Sequence, residues 1–351
     1  MKKILFLSIA LFGLVSCGEA QTTTQKKEQA KKQQTTVINK VVGQEEFEKM
    51  MKKRLILAFL LLIGFSVQAQ IFPENPKRVL FIGNSITYAG RYVQIIEAYQ
   101  RAKFPNQEID IYNVGLPSET VSGLSEDGHA SGRFPRPDLH ERLARVLEQI
   151  KPDLVFATYG MNDGIYLPLD SARFLKFKEG ICWMHDQVVF SGAKIIHITP
   201  SLYEEKPNEN IGYGKVLDAY SHWLTQQKNW QVIDTHSALQ KFLHTELKKD
   251  VNFRISKDGV HPGEQGHWIM AKEILRYLGA KKINRMNSME EMLEPLKDPK
   301  AFFDLVVERH NILKDSWLTQ TGHKRPEMKK GIPLSDAKLK AADLMKKIKE
   351  F

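Results

Sequence analysis

Between Arg78 and Leu278 the chain alternates short apolar runs with longer stretches whose apolar residues recur every three or four positions. The runs Arg78–Ile82, Ile109–Val114, Leu154–Thr158, Lys194–Thr199 and Gln231–Asp234 read as buried strands. Between them lie helical spacings: Tyr92, Ile95, Ile96 and Tyr99; Leu139, Leu143, Val146, Leu147 and Ile150; Phe174, Phe177, Ile181, Met184 and Val188; Val216, Ala219, Tyr220 and Trp223. Two more helices are expected over Ala238–Leu247 and Gly263–Leu278, the latter with Pro262 at its start. Strictly alternating strand and helix predicts an α/β fold, a parallel five-stranded sheet with right-handed crossovers and helices on both faces. In such sheets ligands sit beyond the carboxyl ends of the strands.

Residues 283–351 change character, becoming Met-, Lys- and Glu-rich and helical, with a polar interruption at Thr319–Pro333. The last helix, about Ser335–Phe351, is expected to turn Leu339, Ala342, Leu344, Met345 and Ile348 towards one face. So short a segment builds a poor core alone, so it is read as a helical C-terminal extension packed on a domain spanning 70–282.

The N-terminus carries two export patterns. Met1-Lys2-Lys3, an apolar run from Ile4 to Val15 and Leu14-Val15-Ser16-Cys17 resemble a bacterial lipoprotein signal with Cys17 as the lipidated residue. Met51-Lys52-Lys53-Arg54, an apolar run Leu55–Phe65 and Val67-Gln68-Ala69 form a secretory signal over 51–69. Residues 18–50 are polar and read as a tether. Either translation starts near Met51 and residues 1–50 are foreign to the protein, or the chain is a lipoprotein with an internal apolar segment. Both readings export it, to the periplasm, the exterior or the outer membrane.

Charge follows from this. The whole chain has 51 Lys+Arg against 41 Asp+Glu, but the first 69 residues hold 11 against 5, so the remainder carries only +4. The basic balance is largely an export property and gives no reason to expect a nucleic-acid partner. The two cysteines, Cys17 and Cys182, exclude a disulfide framework and a cysteine-based metal site; Cys182 is expected to be an inert core thiol.

Candidate chemistry clusters after the strands. Gly83-Asn84-Ser85-Ile86-Thr87 places Ser85 where its hydroxyl can stand above the sheet edge, although a serine there also caps helices. Gly115 offers a backbone N–H with no side chain in the way, and Asn162, in Gly160-Met161-Asn162-Asp163, a side-chain amide. Asp163 is expected to tie loops together. Asp258-Gly259-Val260-His261 lets a carboxylate orient an imidazole within one turn, although Asp-Gly and His-Pro are ordinary turn formers. A nucleophile, candidate oxyanion donors and a base with its orienting acid make a complete acyl-transfer set.

These segments resemble the SGNH (GDSL-type) hydrolase family, whose blocks are matched by Gly83-Asn84-Ser85-Ile86-Thr87, Gly115, Gly160-Met161-Asn162-Asp163 and Asp258-x-x-His261 over roughly residues 76–278. Asn84 departs from the family's usual Asp at a position outside the triad. The resemblance implies a three-layer α/β/α sandwich of flavodoxin-like form. It implies Ser85 as nucleophile, His261 as base and Asp258 as its support. It further implies an oxyanion hole from the Ser85 N–H, the Gly115 N–H and the Asn162 side chain. No metal or organic cofactor is needed. The expected substrate is a small-molecule or polysaccharide ester, acetylated carbohydrate first; a lipid-directed esterase and a non-catalytic sugar-binding protein are the alternatives.

The long Gly-, Ser- and Pro-rich connection Leu116–Asp138 is expected to line the pocket, with Arg133, Arg136 and His129 as polar contacts. Pro200–Gly214, with Tyr203 and Tyr213, and Tyr166 are further candidate rims. Trp183, Trp223, Trp230 and Trp268 are assigned to the core. His323-Lys324-Arg325 could reach the active-site mouth or lie in a solvated turn.

Overall fold

The computed structural model describes residues 30–33, 49, 72, 76–205 and 211–351. Both export patterns, the tether apart from residues 30–33 and 49, and Cys17 lie outside the described residues. Residues Ala69–Phe351 form one compact unit.

Five strands, β1 (Arg78–Gly83), β2 (Asp110–Asn113), β3 (Leu154–Thr158), β4 (Lys194–Ile198) and β5 (Gln231–Ile233), form an all-parallel sheet in the order β2-β1-β3-β4-β5. Val79–Ile82 and Val155–Phe156 are completely buried, which explains their unbroken apolar character. Phe81 and Phe156 stack across β1 and β3 at 4.8 Å. The register sets Gly83 opposite Thr158 and Phe81 opposite Asn113. The chains leaving β1, β2 and β3 therefore emerge side by side. The order reverses at β1, the switch point where open parallel sheets bind ligands.

Helices cover both faces. After β1 come α1 (Ser85–Ala89) and α2 (Arg91–Lys103); α3 (Leu143–Ile150) precedes β3 and α4 (Ser171–Phe190) precedes β4. Then follow α5 (Tyr213–Thr225), α6 (Thr235–Leu247) and α7 (Glu264–Tyr277). Helix α2 packs on α7 and α7 on α6, whereas α3 packs on α4, giving the three-layer sandwich. Pro262 does not open α7; Gly263 is its N-cap, and the proline lies one residue outside.

The extension comprises α8 (Met289–Leu293), α9 (Pro299–Thr321) and α10 (Leu334–Ile348). Asp298 caps α9 by accepting from Ala301 N at 3.0 Å, with Pro299 in the first turn. Helix α9 packs against β2 and α2, where Trp317 meets Tyr112 edge-to-face at 5.3 Å. Helix α10 packs on α9 through Ala337, Ala341, Leu344 and Ile348. Leu339 and Ala342 face outward, contrary to the sequence expectation, because the small alanines at 337 and 341 permit the close contact.

Two further expectations are corrected. Cys182 is exposed, because α4 buries Phe177, Gly180, Ile181, Met184 and Val188 and turns position 182 away. Of the four tryptophans assigned to the core, only Trp268 is buried; Trp183, Trp223 and Trp230 are half-buried at its edge.

Candidate active site

Ser85 begins α1, directly after β1. The cap is Asn84, whose Oδ1 accepts from Ile86 N at 3.2 Å, so the hydroxyl of Ser85 is not used for capping. Asn and Asp cap helices about equally well, which makes the family departure at Asn84 physically mild. A Cβ on Gly83 would come within 2.4 Å of Thr87 Oγ1, and one on Gly115 within 2.4 Å of Tyr88 N. Both glycines let the backbone of α1 settle between β1 and β2.

Ser85 Oγ lies 2.8 Å from His261 Nε2, and His261 Nδ1 lies 2.6 Å from Asp258 Oδ2. The other carboxylate oxygen, Asp258 Oδ1, accepts the backbone N–H groups of Val260 at 2.9 Å and His261 at 2.8 Å. Burial pushes the Asp258 pKa up, but these bonds to His261 and Val260 outweigh it and bring it to about 2. An ionised carboxylate on Nδ1 fixes the tautomer with Nε2 unprotonated and facing the hydroxyl. The loop is held by Glu204, whose carboxylate accepts from Ile255 N at 3.2 Å and from Ser256 N, while Glu204 N donates to Gly259 O at 2.9 Å. Gly259 takes φ +87°, and a Cβ there would come within 2.7 Å of Glu204 O. Glu204 gave no sequence signal, because its work depends on contacts made 51 and 52 residues downstream.

Asn162 follows β3 and is buried. Its Nδ2 donates to Glu119 O at 3.1 Å, and its Oδ1 accepts from the Tyr166 hydroxyl at 3.3 Å. Pinned at both ends, the amide keeps one further N–H to give. Asp163 ties loops, as expected: it accepts from Val121 N, Ser122 N and Gly160 N at 2.7–2.8 Å. Burial outweighs those bonds and raises its pKa.

Gly115 has a different duty from the one expected. Its N–H donates to Asn113 Oδ1 at 2.9 Å, so it is not free to meet an oxyanion. The nearby turn Leu116–Glu119, closed by Glu119 N to Leu116 O at 3.2 Å, offers another donor. Pro117 and Ser118 are its central residues, and Ser118 takes φ +66°, as in a type II turn. Among the described residues neither the Ser118 N–H nor the Ser85 N–H finds an acceptor. Leu116 N bonds to Gly83 O at 2.8 Å, and Asn162 Nδ2 to Glu119 O, so the turn lies between the strand end bearing Ser85 and the amide of Asn162. Pro-Ser was a turn signal, but the sequence pointed to the nearest glycine instead. A buried pair supports this turn: Arg142 meets Glu119 in bidentate fashion at 2.6 and 2.7 Å, and Tyr159 Oη donates to Glu119 Oε2 at 2.6 Å. Burial would lower the Arg142 pKa, but the Glu119 carboxylate overrides it and raises it.

The expected substrate contacts are engaged within the protein. Arg136 is buried and bidentate to Glu126 at 2.6–2.7 Å, with its guanidinium 5.2 Å from the Tyr166 ring centre. Arg133 pairs with Glu327. His129 Nδ1 approaches Glu126 at 3.5 Å. Tyr203 and Tyr213 are buried against Tyr166, Tyr203 edge-on at 5.9 Å and Tyr213 stacked at 4.8 Å. Of this set, Tyr166 touches a site residue, Asn162. Residues 206–210 of the Pro200–Gly214 rim lie outside the described residues. A cleft of about 380 Å³ opens beside the triad, lined by Arg254, Lys257, Asp258, His261, Glu264 and Gln265 among others. Among the described residues no cluster has the His, Cys, Asp or Glu geometry of a metal site.

The family model for GDSL-like lipases and acylhydrolases matches residues 81–269, just over half the chain. The chain is 26% identical over 227 residues to an acetylxylan esterase of Geobacillus stearothermophilus, covering 58% of this chain and 94% of that protein. Among solved structures, a gut microbial diltiazem-metabolizing enzyme is 22% identical with a TM-score of 0.46; the match covers 58% of this chain and 47% of that one. A catalytic mutant of an acetylxylan esterase from Geobacillus stearothermophilus is 23% identical with a TM-score of 0.46, covering 58% and 94%.

Proposed function

The chain belongs to the GDSL-like lipase/acylhydrolase family and is a serine carboxylic ester hydrolase; from that premise we propose that it removes small acyl groups, acetyl first, from carbohydrate esters through an acyl-enzyme on Ser85. The observation that carries this reading is the continuous line of short contacts from Ser85 Oγ through His261 to Asp258. In the first step His261 Nε2 takes the hydroxyl proton as Ser85 Oγ bonds to the ester carbonyl carbon. The resulting oxyanion is met by the Ser85 N–H, the Ser118 N–H and Asn162 Nδ2, with Ser118 in the place expected of Gly115. As the tetrahedral intermediate collapses, the bond to the alcohol breaks and His261 hands its proton to the leaving oxygen. Water then repeats the sequence on the acyl-enzyme, releasing the acid and restoring the Ser85 hydroxyl. Asp258 stays ionised throughout and stabilises the imidazolium.

Support for a carbohydrate substrate comes from the acetylxylan esterase relative. The two N-terminal patterns support export, with Cys17 as a lipid anchor where translation starts at Met1. The test is acetate release by the protein from Gln70 onward on acetylated xylo-oligosaccharides, beside p-nitrophenyl acetate and decanoate. Acetyl preference is expected; preference for the decanoate would overturn the substrate assignment in favour of a lipid-directed esterase.

A further inference from the structure

The segment between α9 and α10 is fastened at both ends. Arg145 donates to Thr321 O at 3.0 Å and to Gly322 O at 3.4 Å, and Gly331 N donates to Thr319 Oγ1 at 2.8 Å. In the middle, Glu327 pairs with Arg133 of the 116–138 connection. Arg325 reaches furthest. Its Nε donates to Pro117 O at 3.0 Å, and its guanidinium lies 5.3 Å from the Phe134 ring centre. Its Nη1 donates to Pro326 O at 3.0 Å and lies 3.1 Å from Met328 Sδ. Among the described residues no carboxylate lies within ion-pair distance of Arg325. A cation directed at a backbone carbonyl, its neighbouring acid Glu327 paired instead with Arg133, calls for a reason.

That carbonyl belongs to the Pro117–Ser118 peptide, whose N–H is the unpaired Ser118 donor. It is also the central peptide of the Leu116–Glu119 turn. Type I and type II turns differ mainly in the direction this peptide faces, with ψ of the first central residue about −30° in one and about +120° in the other. A serine at φ +66° in the second central position works against the orientation adopted, since a side chain disfavours the left-handed region. A hydrogen bond on the carbonyl favours the orientation it is made in, and so fixes the N–H on the opposite side. A charged donor on the carbonyl also polarises the amide and strengthens its N–H as a donor.

We propose that Arg325, supplied by the C-terminal extension, is a positioning residue for oxyanion stabilisation: it holds the Pro117–Ser118 peptide so that the Ser118 N–H faces the reacting carbonyl. This rests on the reading of Ser118 as an oxyanion donor within a Ser85 esterase. It gives the 322–331 segment a function in the reaction, independent of any contact with substrate.

The experiment compares Arg325→Met, Arg325→Ala and Glu327→Gln with the parent on p-nitrophenyl acetate. Arg325→Met is expected to lower kcat by about 10–100-fold with KM within about twofold, less than the ~10²–10³ expected for outright loss of a donor. Added guanidinium is expected to restore part of kcat in Arg325→Ala. Glu327→Gln, which removes a neighbouring tie on the same segment, should leave kcat within about twofold. Should Arg325→Met fail to accumulate folded, the same kcat and KM split is read on Arg325→Gln, whose shorter side chain falls short of Pro117 O. Unchanged kcat, a rise in KM alone, or an equal loss in Glu327→Gln would each overturn the proposal. A parent without esterase activity, or an active Ser85→Ala, would instead overturn the underlying reading, so the two failures are distinguishable.

Discussion

Glu97 of α2 meets Arg309 of α9 at 2.5 Å, with both side chains buried. Arg101 approaches the same carboxylate at 3.5 Å, and His310 Nδ1 lies 3.2 Å from its other oxygen. His310 Nε2 in turn sits 3.1 Å from Asn113 Nδ2, whose side chain also holds Thr87 O and Gly115 N. The extension is thus joined by buried hydrogen bonds to the backbone that carries the nucleophile. Removing Glu97 leaves Arg309 and Arg101 buried beside one another. Glu97→Ala is expected to destabilise by about 3–5 kcal/mol, read by urea unfolding. A loss below 1 kcal/mol would show that the extension is not held this way.

Acid should weaken the fold through His197. It is buried, stacked 4.7 Å from Trp230, and its Nε2 lies 3.0 Å from His185 Nδ1. Burial, with His185 adding to it, lowers its pKa to about 3. The folded value lies below the ordinary one near 6.5, so the unfolded chain binds the proton more readily. The contribution is therefore complete above about pH 6.5 and is lost as pH falls towards 3. Tm should drop between pH 7 and 4.5, and His197→Gln should drop less than the parent over that interval. Equal drops would remove His197 as the cause.

Ser118 pays for its left-handed backbone. Ser118→Gly is expected to raise stability by about 0.5–1 kcal/mol, because glycine takes φ +66° without Cβ strain. The Ser118 N–H is retained, so kcat should stay within about twofold. A fall in stability would show that the hydroxyl, and not the backbone, selects serine here.

Tyr166 holds the side-chain amide of Asn162. Tyr166→Phe removes the 3.3 Å bond to Asn162 Oδ1. That is worth about 0.5–1.5 kcal/mol, or roughly 2–10-fold in kcat, with KM little changed. Asn162→Ala should cost ~10²–10³. If Tyr166→Phe instead changed KM alone, the hydroxyl would belong with substrate contacts.

Much of the fold could be read from the chain because buried parallel strands have a plain signature: Val79–Ile82 and Leu154–Ala157 are apolar throughout and bounded by polar turns. Ser85, Asn162, Asp258 and His261 were legible for a similar reason, since each follows a strand or sits in a tight turn with distinctive neighbours. What could not be read depends on pairing across distance. Glu204 holding the Asp258 loop, Arg325 on Pro117 and Glu97 under α9 are ordinary charged residues until the fold brings their partners close. Gly115 misled because a glycine near a site invites a donor role, whereas this one makes room for Tyr88 N and gives its N–H to Asn113. Cys182 misled because α4 is apolar on more than one side, with Phe190 exposed at its end, so periodicity alone did not choose the buried face.

The central claim is that Ser85 is the nucleophile activated by His261 across 2.8 Å. The most direct measurement is mass spectrometry of the protein after reaction with a fluorophosphonate ester, which traps an activated serine. A single adduct on Ser85, absent from His261→Ala, is predicted. An adduct on another serine, or undiminished labelling of Ser85 without His261, would contradict the account.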